Sequence, residues 1–282
     1  MAKAFKNTLP ALILFFYLGC NSLLYYPNSY RYVNEKVLPY KPQDIELTAD
    51  EHSDLLSWYF ESKSNLRKPI TIIFAHGNGQ NISSHFRSLY WVLDHGINFL
   101  IVGYPGYGPN SGSASPSSTV ETVTSAINWI KIHRPKDSIL IYGQSLGGNV
   151  ALRAVSENSE VSYCGVAIEG SFLSYKKAAQ QTMARSWLLW SFQFLPYVLI
   201  SDSKSIKENL KNLPRTNYLV IHGTEDQSIS FKLGSELYNQ LPEAKQFWTI
   251  EGGKHIDTFA RHPSKRNEFL KFINQNCLSK QD

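Results

Sequence analysis

The fold of this chain is decided by the stretch Ile139-Leu-Ile-Tyr-Gly143-Gln-Ser145-Leu-Gly147-Gly148. Its first half is a run of β-branched, aliphatic and aromatic residues that stops at a glycine, which predicts a buried strand over 139–143. Beyond Gly148, apolar side chains recur at helical spacing, at Val150, Ala151, Ala154 and Val155. The stretch therefore predicts a strand, a tight turn and a helix, with Ser145 in the turn.

This turn follows the pattern Gly-x-Ser-x-Gly over 143–147, the nucleophile elbow. In such an elbow the serine backbone is strained, and its Oγ stands clear above the sheet. Glycine is needed at 143 and 147 because a Cβ at either position would collide with the neighbouring strand or helix. We expect Ser145 to be a nucleophile. The alternative is an ordinary strand-to-helix turn that carries a serine by coincidence.

The rest of the chain alternates strands with helices. Apolar runs predict seven further strands, over 45–48, 55–60, 70–75, 97–102, 161–168, 218–221 and 246–250. Such an alternation predicts an α/β fold, with a mostly parallel central sheet and helices on both faces, in one domain.

Helical periodicity lies between these strands. Ser118 and Glu121 have the spacing of a capping box and predict the start of one helix. Gly96 is expected to end another. The apolar faces of the predicted helices are Phe86, Leu89, Tyr90 and Leu93; Val120, Val123, Ile127 and Ile130; Leu233, Leu237 and Leu241; and Phe269, Phe272 and Ile273.

Three side chains with complementary chemistry follow predicted strands directly: Ser145, Asp226 and His255. In a parallel sheet, ligands bind beyond the carboxyl ends of the strands, so these residues are expected to meet at one edge. A serine hydroxyl is a poor nucleophile at neutral pH and needs a base. His255 would take its proton, and Asp226 would orient the imidazole.

The negative charge that develops on the substrate oxygen needs hydrogen-bond donors. We expect these donors to be the backbone N–H groups of Leu146 and Asn78, the second of which lies in a loop that follows the strand at 70–75. No metal-ligand motif and no phosphate-binding Gly-Lys-Ser/Thr pattern is present, so neither a metal nor a cofactor is expected.

Each of the three roles has a rival. Glu169 also follows a strand and competes with Asp226 for the role of the acid. His262 competes with His255, and Ser171 lies at a strand end but lacks the glycine two residues later. The remaining histidines are expected to shape loops at strand ends, at His76 and His222, or to lie at the surface, at His52, His85, His95 and His133.

Over about residues 43–279 the chain resembles the α/β-hydrolases, in which Ser, Asp and His follow one another in this order. The motifs that carry the resemblance are His-Gly-Asn at 76–78, Gly-Tyr-Pro-Gly-Tyr-Gly at 103–108, Gly-Gln-Ser-Leu-Gly-Gly at 143–148 and His-Gly-Thr-Glu-Asp at 222–226. They are most similar to a serine aminopeptidase-like branch, which also holds monoacylglycerol lipase-like esterases and membrane-tethered depalmitoylating thioesterases. The resemblance implies an α/β-hydrolase fold, a small lid, and hydrolysis of an ester, thioester or amide without a cofactor.

The amino terminus has the pattern of an exported protein. Residues 1–19 contain two lysines followed by an apolar run too short to span a bilayer, which is typical of a signal peptide. Tyr17-Leu-Gly-Cys20 resembles the bacterial lipobox, in which the cysteine is acylated. We expect Cys20 to be lipidated and 20–42 to form a tether packed on the domain. The alternatives are an uncleaved anchor and a plain signal peptide.

Residues 171–212 interrupt the alternation and are expected to form the lid. An aromatic and apolar stretch over 187–200 has two interpretations, a helix that packs on the core or a lid that lines an acyl pocket. Cys164 and Cys277 have no spacing that suggests a disulfide or a metal site. The net charge of +5 includes no long basic run, so nucleic acid is not expected as a partner.

Taken together, the sequence predicts a membrane-tethered serine hydrolase in the cell envelope, with the outer membrane as one location. Its substrate would be a small-molecule or lipid-like acyl ester or thioester. One alternative is an aminopeptidase or amidase with the same three residues. Another is an envelope-anchored binding protein with a vestigial site, although such a protein would have no need of all three residues. The sequence does not predict the oligomeric state.

Overall fold

A computed structural model describes residues 24–49, 52–64, 66–185 and 187–278. These residues form one eight-stranded sheet with the strand order β1-β2-β4-β3-β5-β6-β7-β8. The predicted signal peptide and Cys20 lie outside the described residues. The strands are Gln43–Ala49 (β1), His52–Phe60 (β2), Ile70–Ala75 (β3), Asn98–Val102 (β4), Ser138–Gln144 (β5), Tyr163–Glu169 (β6), Tyr218–Gly223 (β7) and Lys245–Ile250 (β8).

Every predicted strand is present, and β3 has the predicted bounds. The strands β3 to β8 are parallel to one another, while β1 pairs with β2 and β2 with β4 in antiparallel fashion. All six residues of β3 are buried. Successive side chains point to opposite faces of a strand, so Ile73 joins the core on one face and Phe74 the core on the other.

Helices cover both faces of the sheet, which confirms the predicted architecture. Within the described ranges they are Ile82–His85 (α1), Pro116–His133 (α2), Leu146–Glu157 (α3), Tyr175–Arg185 (α4), Leu195–Leu199 (α5), Phe231–Gln240 (α6), Thr258–Arg261 (α7) and Ser264–Ile273 (α8). Side chains of α2, α3, α4 and α6 contribute to one apolar core, and those of α1, α7 and α8 contribute to the other.

Two helix predictions need correction. The helix predicted from Ser118 and Glu121 begins earlier, because Ser115 is its cap: the Ser115 Oγ accepts the Ser118 N–H at 3.0 Å, and Pro116 occupies the first helical position. The helix predicted around Phe86 is instead one turn of α-helix followed by 3₁₀ segments. It ends as predicted at Gly96, which has a φ of 81°.

A disulfide bond joins Cys164 to Cys277, so the prediction that these cysteines are unpaired is wrong. Cys164 lies at the beginning of β6, and Cys277 follows α8 in a π-helical segment, Asn274–Leu278. The two residues are 113 positions apart in sequence. Only the fold brings them together, because no local spacing relates them.

The segment 24–42 packs against the domain formed by the sheet and its helices. Tyr25 is buried, and its hydroxyl lies 3.2 Å from the Thr119 Oγ1 on α2. Burial raises the pKa of the Tyr25 hydroxyl well above its usual value. Part of the segment expected to be a tether is therefore attached firmly to the core. No helix in the described part of the chain has the length and apolar character required to cross a bilayer.

The predicted lid contains α4, α5 and short 3₁₀ turns. The interpretation of 187–200 as a helix packed on the core is wrong, because most of its large apolar side chains are exposed to solvent. Trp187, for example, is 86% exposed.

Candidate active site

The strand β5 ends at Gln144 and the helix α3 begins at Leu146, which leaves Ser145 alone in the turn. Ser145 has a φ of 54° and a ψ of −121°, a strained backbone conformation for a residue with a side chain. Its N–H donates to the Glu169 carbonyl at 2.9 Å, which holds the turn against β6. Its side chain makes no capping bond to α3, so the Oγ is available for other contacts.

The two glycines of the elbow are required by close contacts, as predicted. A Cβ on Gly143 would lie 2.6 Å from the Gly148 Cα, and a Cβ on Gly147 would lie 2.1 Å from the Ala75 carbonyl oxygen. Contacts this short with backbone atoms cannot be relieved by moving a side chain. The elbow therefore admits only glycine at these positions.

The structure brings Ser145, His255 and Asp226 together in one hydrogen-bonded series. The His255 Nε2 lies 2.9 Å from the Ser145 Oγ, and the His255 Nδ1 lies 2.7 Å from the Asp226 Oδ2. A carboxylate only accepts hydrogen bonds, so Nδ1 carries the proton, and Nε2 of the neutral ring is left to accept the serine hydroxyl. Three residues that are up to 110 positions apart in sequence are thus joined in the order expected of a nucleophile, a base and an acid.

The Asp226 carboxylate is held from two sides. Its Oδ1 accepts the backbone N–H groups of Ser228 and Ile229, at 2.8 and 2.9 Å. These two hydrogen bonds orient the carboxylate so that its Oδ2 faces His255. The Asp226 side chain is fully buried, whereas that of His255 is partly exposed. Solvent can therefore reach the His255 ring, while the Asp226 carboxylate is shielded from water.

Glu169, the rival acid, has a different set of partners. Its carboxylate accepts the Tyr142 hydroxyl at 2.5 Å, the Gln144 Nε2 at 2.7 Å and the Thr258 N–H at 3.0 Å. The first two donors belong to β5 and the third begins α7. Glu169 therefore ties the strand that carries the serine to the segment that follows His255.

The loop that contains Asn78 runs beside the serine. A Cβ on Gly77 would lie 3.4 Å from the Ser145 Cβ. Leu146 is the first residue of α3, so its N–H has no partner within the helix. Both predicted donor positions, Asn78 and Leu146, therefore lie on segments that adjoin Ser145.

The side chain of Asn78 has a role that the sequence did not indicate. Its Oδ1 accepts the Tyr26 N–H at 2.8 Å and the Tyr107 hydroxyl at 2.7 Å, while its Nδ2 donates to the Leu24 carbonyl at 2.7 Å. Asn78 therefore joins the amino-terminal segment, the 103–108 motif and its own loop. Tyr107 lies inside the 103–108 motif that carried the family resemblance. This motif was the signal in the sequence from which a contact with the Asn78 loop could have been suspected.

His85 was predicted to lie at the surface, and this prediction is wrong. Its ring is buried, stacks on His76 with the ring centroids 5.0 Å apart, and lies 3.2 Å from the Gly79 carbonyl through Nε2. Burial lowers the pKa of His85 to about 4. Burial and the neighbouring His85 lower the pKa of His76 well below its usual value. Both rings are therefore neutral near pH 7.

The other two rivals, Ser171 and His262, have no hydrogen bond to Ser145, His255 or Asp226. Ser171 is fully buried, and its Oγ has no hydrogen-bond partner. His222 is buried beside the acid, with its Nε2 2.9 Å from the Ile229 carbonyl, and burial lowers its pKa. His262 lies beyond α7. Of the predicted surface histidines, His95 and His133 are exposed, and the side chain of His52 lies outside those described.

Comparison with known families identifies the fold. A model of the alpha/beta hydrolase family matches residues 72–266. The chain belongs to this family. The predicted superfamily and fold are thereby confirmed, and the match covers the elbow, Asp226 and His255. Across the described ranges, no group of three or more His, Cys, Asp and Glu side chains has an arrangement suited to holding a metal ion.

Relatives and solved structures agree with this family. Protein YfhR of Escherichia coli K12, described as uncharacterised, is 27% identical over 259 residues, which cover 89% of this chain and 86% of YfhR. The lysophosphatidylserine lipase ABHD12 of Xenopus tropicalis is 28% identical over 207 residues, 71% of this chain and 53% of that protein. An esterase of Pyrococcus furiosus superposes with a TM-score of 0.71 at 19% identity, over 90% of this chain and 98% of the esterase.

Proposed function

We propose that this chain is a serine hydrolase that cleaves an acyl ester or thioester through an acyl-enzyme intermediate on Ser145. The observation that carries the proposal is the unbroken series from the Ser145 Oγ through His255 to the Asp226 Oδ2, with distances of 2.9 and 2.7 Å. Heavy-atom distances of this size allow proton transfer between nucleophile and base.

In the proposed first half-reaction, the Ser145 Oγ attacks the acyl carbon while its proton passes to the His255 Nε2. Asp226 stabilises the imidazolium that forms. The negative charge on the carbonyl oxygen is met by the N–H groups of Leu146 and Asn78. The bond from the acyl carbon to the leaving oxygen or sulfur then breaks. The leaving group takes the proton from His255, and the acyl group stays on Ser145.

In the second half-reaction, water takes the place of the leaving group. His255 removes a proton from the water, and the hydroxyl oxygen attacks the acyl carbon. The bond to the Ser145 Oγ then breaks, the serine recovers its proton from His255, and a carboxylic acid is released. No metal or cofactor enters either half-reaction.

Two findings favour a lipid-like acyl substrate. The relative named as a lysophosphatidylserine lipase acts, by that name, on a lipid acyl ester. The predicted lid of this chain also exposes large aromatic side chains, among them Trp187, Trp190 and Phe194. Both support an ester or thioester with an apolar acyl group in preference to an aminoacyl amide.

A fluorophosphonate probe tests the proposed chemistry, because it reacts with activated serines. We expect the wild-type chain to be labelled and the Ser145→Ala variant to lose the label. Ser171→Ala is the matched control, since Ser171 also follows a strand but is fully buried and has no hydrogen bond to His255, and it should keep full labelling. Absence of label on the wild type, or label on Ser145→Ala, would refute the proposal.

We further propose that the chain is a lipoprotein of the bacterial cell envelope, acylated on Cys20. The lipobox-like sequence ending at Cys20 supports this location. The bond between Cys164 and Cys277 supports it too, since disulfides persist mainly in oxidising compartments outside the cytoplasm. Labelled palmitate should be incorporated by the wild type and not by Cys20→Ser. Incorporation that persists in this variant would contradict the proposed anchor.

A further inference from the structure

The lid carries an aromatic patch, which we define as residues 187–198. Its sequence, Trp-Leu-Leu-Trp-Ser-Phe-Gln-Phe-Leu-Pro-Tyr-Val, contains no charged residue. Eight of its large apolar side chains are exposed: Trp187, Leu188, Leu189, Trp190, Phe192, Phe194, Tyr197 and Val198. A contiguous exposed apolar surface of this kind marks an interaction site.

The aromatic patch begins at the edge of the sheet that carries the candidate active site. The helix α4, which precedes the patch, is attached to the loop that follows the acid. The Gln181 Oε1 accepts the Ser230 N–H at 3.0 Å, and the Arg185 guanidinium donates to the Gln227 carbonyl. Gln227 is the immediate neighbour of Asp226. The patch therefore starts two residues beyond a contact with the acid loop.

The amino-terminal chain reaches the same edge. Leu24, the first described residue, accepts a hydrogen bond from the Asn78 side chain, in the loop beside Ser145. The 23 residues that precede Leu24 include the apolar run of the predicted signal peptide and Cys20. Attachment of this segment to a membrane would bring the edge that carries the patch toward the bilayer.

The charges around the patch match an anionic surface. Across 171–212 the sequence has six basic and two acidic residues. They lie on both sides of the uncharged patch, at Lys176, Lys177, Arg185, Lys204, Lys207 and Lys211 for the basic set and Asp202 and Glu208 for the acidic set. With Glu236 and Glu157, which lie outside this range and pair with Lys177 and Lys204, the net charge is +2. Basic residues that flank an apolar face favour anionic lipid headgroups.

The same charges disfavour a second copy of the chain as the occupant. In a two-fold dimer, each subunit presents the same surface to its partner. Two lids that each carry a net positive charge would then face one another, and like charges across an interface repel. A bilayer rich in anionic lipid satisfies both the apolar centre and the basic surroundings.

We propose that the aromatic patch is a docking surface for an anionic phospholipid bilayer, with Trp187 and Trp190 placed at the level of the headgroups. Tryptophan and tyrosine favour this level because their rings are apolar with one polar group. Docking brings the edge that carries Ser145 to the membrane. This binding does not depend on the chemistry at Ser145 and is tested separately from it.

Fluorescence quenching by brominated lipids tests the proposal in the full chain. Ser145→Ala serves as the background, so that no lipid is consumed. The protein is reconstituted into vesicles of phosphatidylcholine and phosphatidylglycerol, with or without bromine on the acyl chains. We expect bromine to quench the emission of Trp187 and Trp190, two of six tryptophans, and to quench less in vesicles without phosphatidylglycerol.

The controls identify the tryptophans responsible. Replacement of both Trp187 and Trp190 by Phe keeps the patch apolar and should remove the quenching. Trp129→Phe, on α2, should leave the quenching unchanged. Equal quenching in the double variant, or none in its parent, would overturn the proposal. An emission change that depends on protein concentration but not on bromine would also overturn the proposal, because it would indicate that the patch mediates self-association.

Discussion

The Ser145 site and the aromatic patch adjoin the same edge of the sheet, but they are built in opposite ways. At the site, the Asp226 and Glu169 carboxylates are buried, and each has partners that fix its direction. In the patch, large apolar side chains face solvent. Proton transfer requires atoms fixed within a few tenths of an ångström, whereas contact with a bilayer requires only exposed apolar area. Under the proposed function, the fixed carboxylates serve the chemistry and the exposed side chains meet the environment of the substrate.

The largest expected effect tests the hydrogen-bonded arrangement at the Ser145 site. Asp226→Asn should lower kcat by roughly 10⁴-fold, or about 5 kcal/mol, because an amide in place of the carboxylate favours the wrong tautomer of His255. Steady-state hydrolysis of a short activated ester measures this loss.

Glu169→Gln is the matched control for the acid, because it removes a second buried carboxylate at a strand end. Its donors are Tyr142, Gln144 and Thr258, so we expect a much smaller loss. If Glu169→Gln abolished activity and Asp226→Asn did not, the assignment of the acid would be reversed.

The disulfide allows the stability of the fold to be tested separately from ester hydrolysis. Replacement of both Cys164 and Cys277 by Ser should lower the free energy of unfolding by roughly 4 kcal/mol, since the bond closes a long loop. Urea unfolding measures this change, and reduction of the wild type provides a matched comparison. Cys164 is the second residue of β6, far from the end of the strand at Glu169, so ester hydrolysis by the folded variant should be unchanged. Equal unfolding midpoints for oxidised, reduced and variant protein would contradict this role.

The buried histidines predict how stability depends on pH. The folded-state pKa of His85, about 4, lies below its usual value of 6.5. Between these values the unfolded chain binds more protons than the folded chain, so stability falls as pH decreases from about 6.5 to about 4. Over this pH range, the titration of His85 lowers the free energy of unfolding by roughly 3 kcal/mol.

His85→Gln removes this titration and keeps a donor near the Gly79 carbonyl. Urea unfolding at a series of pH values should therefore show a smaller acid-induced loss of stability in the variant than in the wild type. Parallel pH curves for the two proteins would contradict the buried, neutral state of His85.

The smallest expected effect concerns the aromatic patch. Replacement of both Trp187 and Trp190 by Ser should lower hydrolysis of an ester presented in anionic vesicles by roughly 30-fold, since partial burial of each ring contributes on the order of 1 kcal/mol. Hydrolysis of a short water-soluble ester should be unchanged. Ile132→Ser, another exposed apolar residue but on α2, should affect neither substrate. Equal losses on both substrates would show that the patch acts on the site itself.

Much of the fold and the candidate site was predictable from local patterns. The apolar run at 70–75 predicted β3 within its observed bounds, because a strand buried on both faces has a continuous signal. The elbow was predictable because contacts around Gly143 and Gly147 require glycine. Asp226 and His255 could be placed beside Ser145 because the carboxyl ends of parallel strands share one edge.

Features that depend on distant contacts were not predictable. The bond between Cys164 and Cys277 joins residues whose proximity arises only from the sheet and α8. The burial of His85 depends on packing against His76, although its polar sequence context suggested a surface position. The exposure of the patch was missed because composition alone does not distinguish an apolar segment that packs on the core from one that faces outward.

The most direct test of the account is the fate of the acyl group in the first turnover. The protein is mixed rapidly with an excess of a p-nitrophenyl acyl ester, quenched with acid and digested for mass spectrometry. We predict a burst of about one nitrophenol per chain and an acyl group on the peptide that contains Ser145, with both absent from Ser145→Ala. An acyl group on any other residue, or a burst that persists in Ser145→Ala, would contradict the central claim.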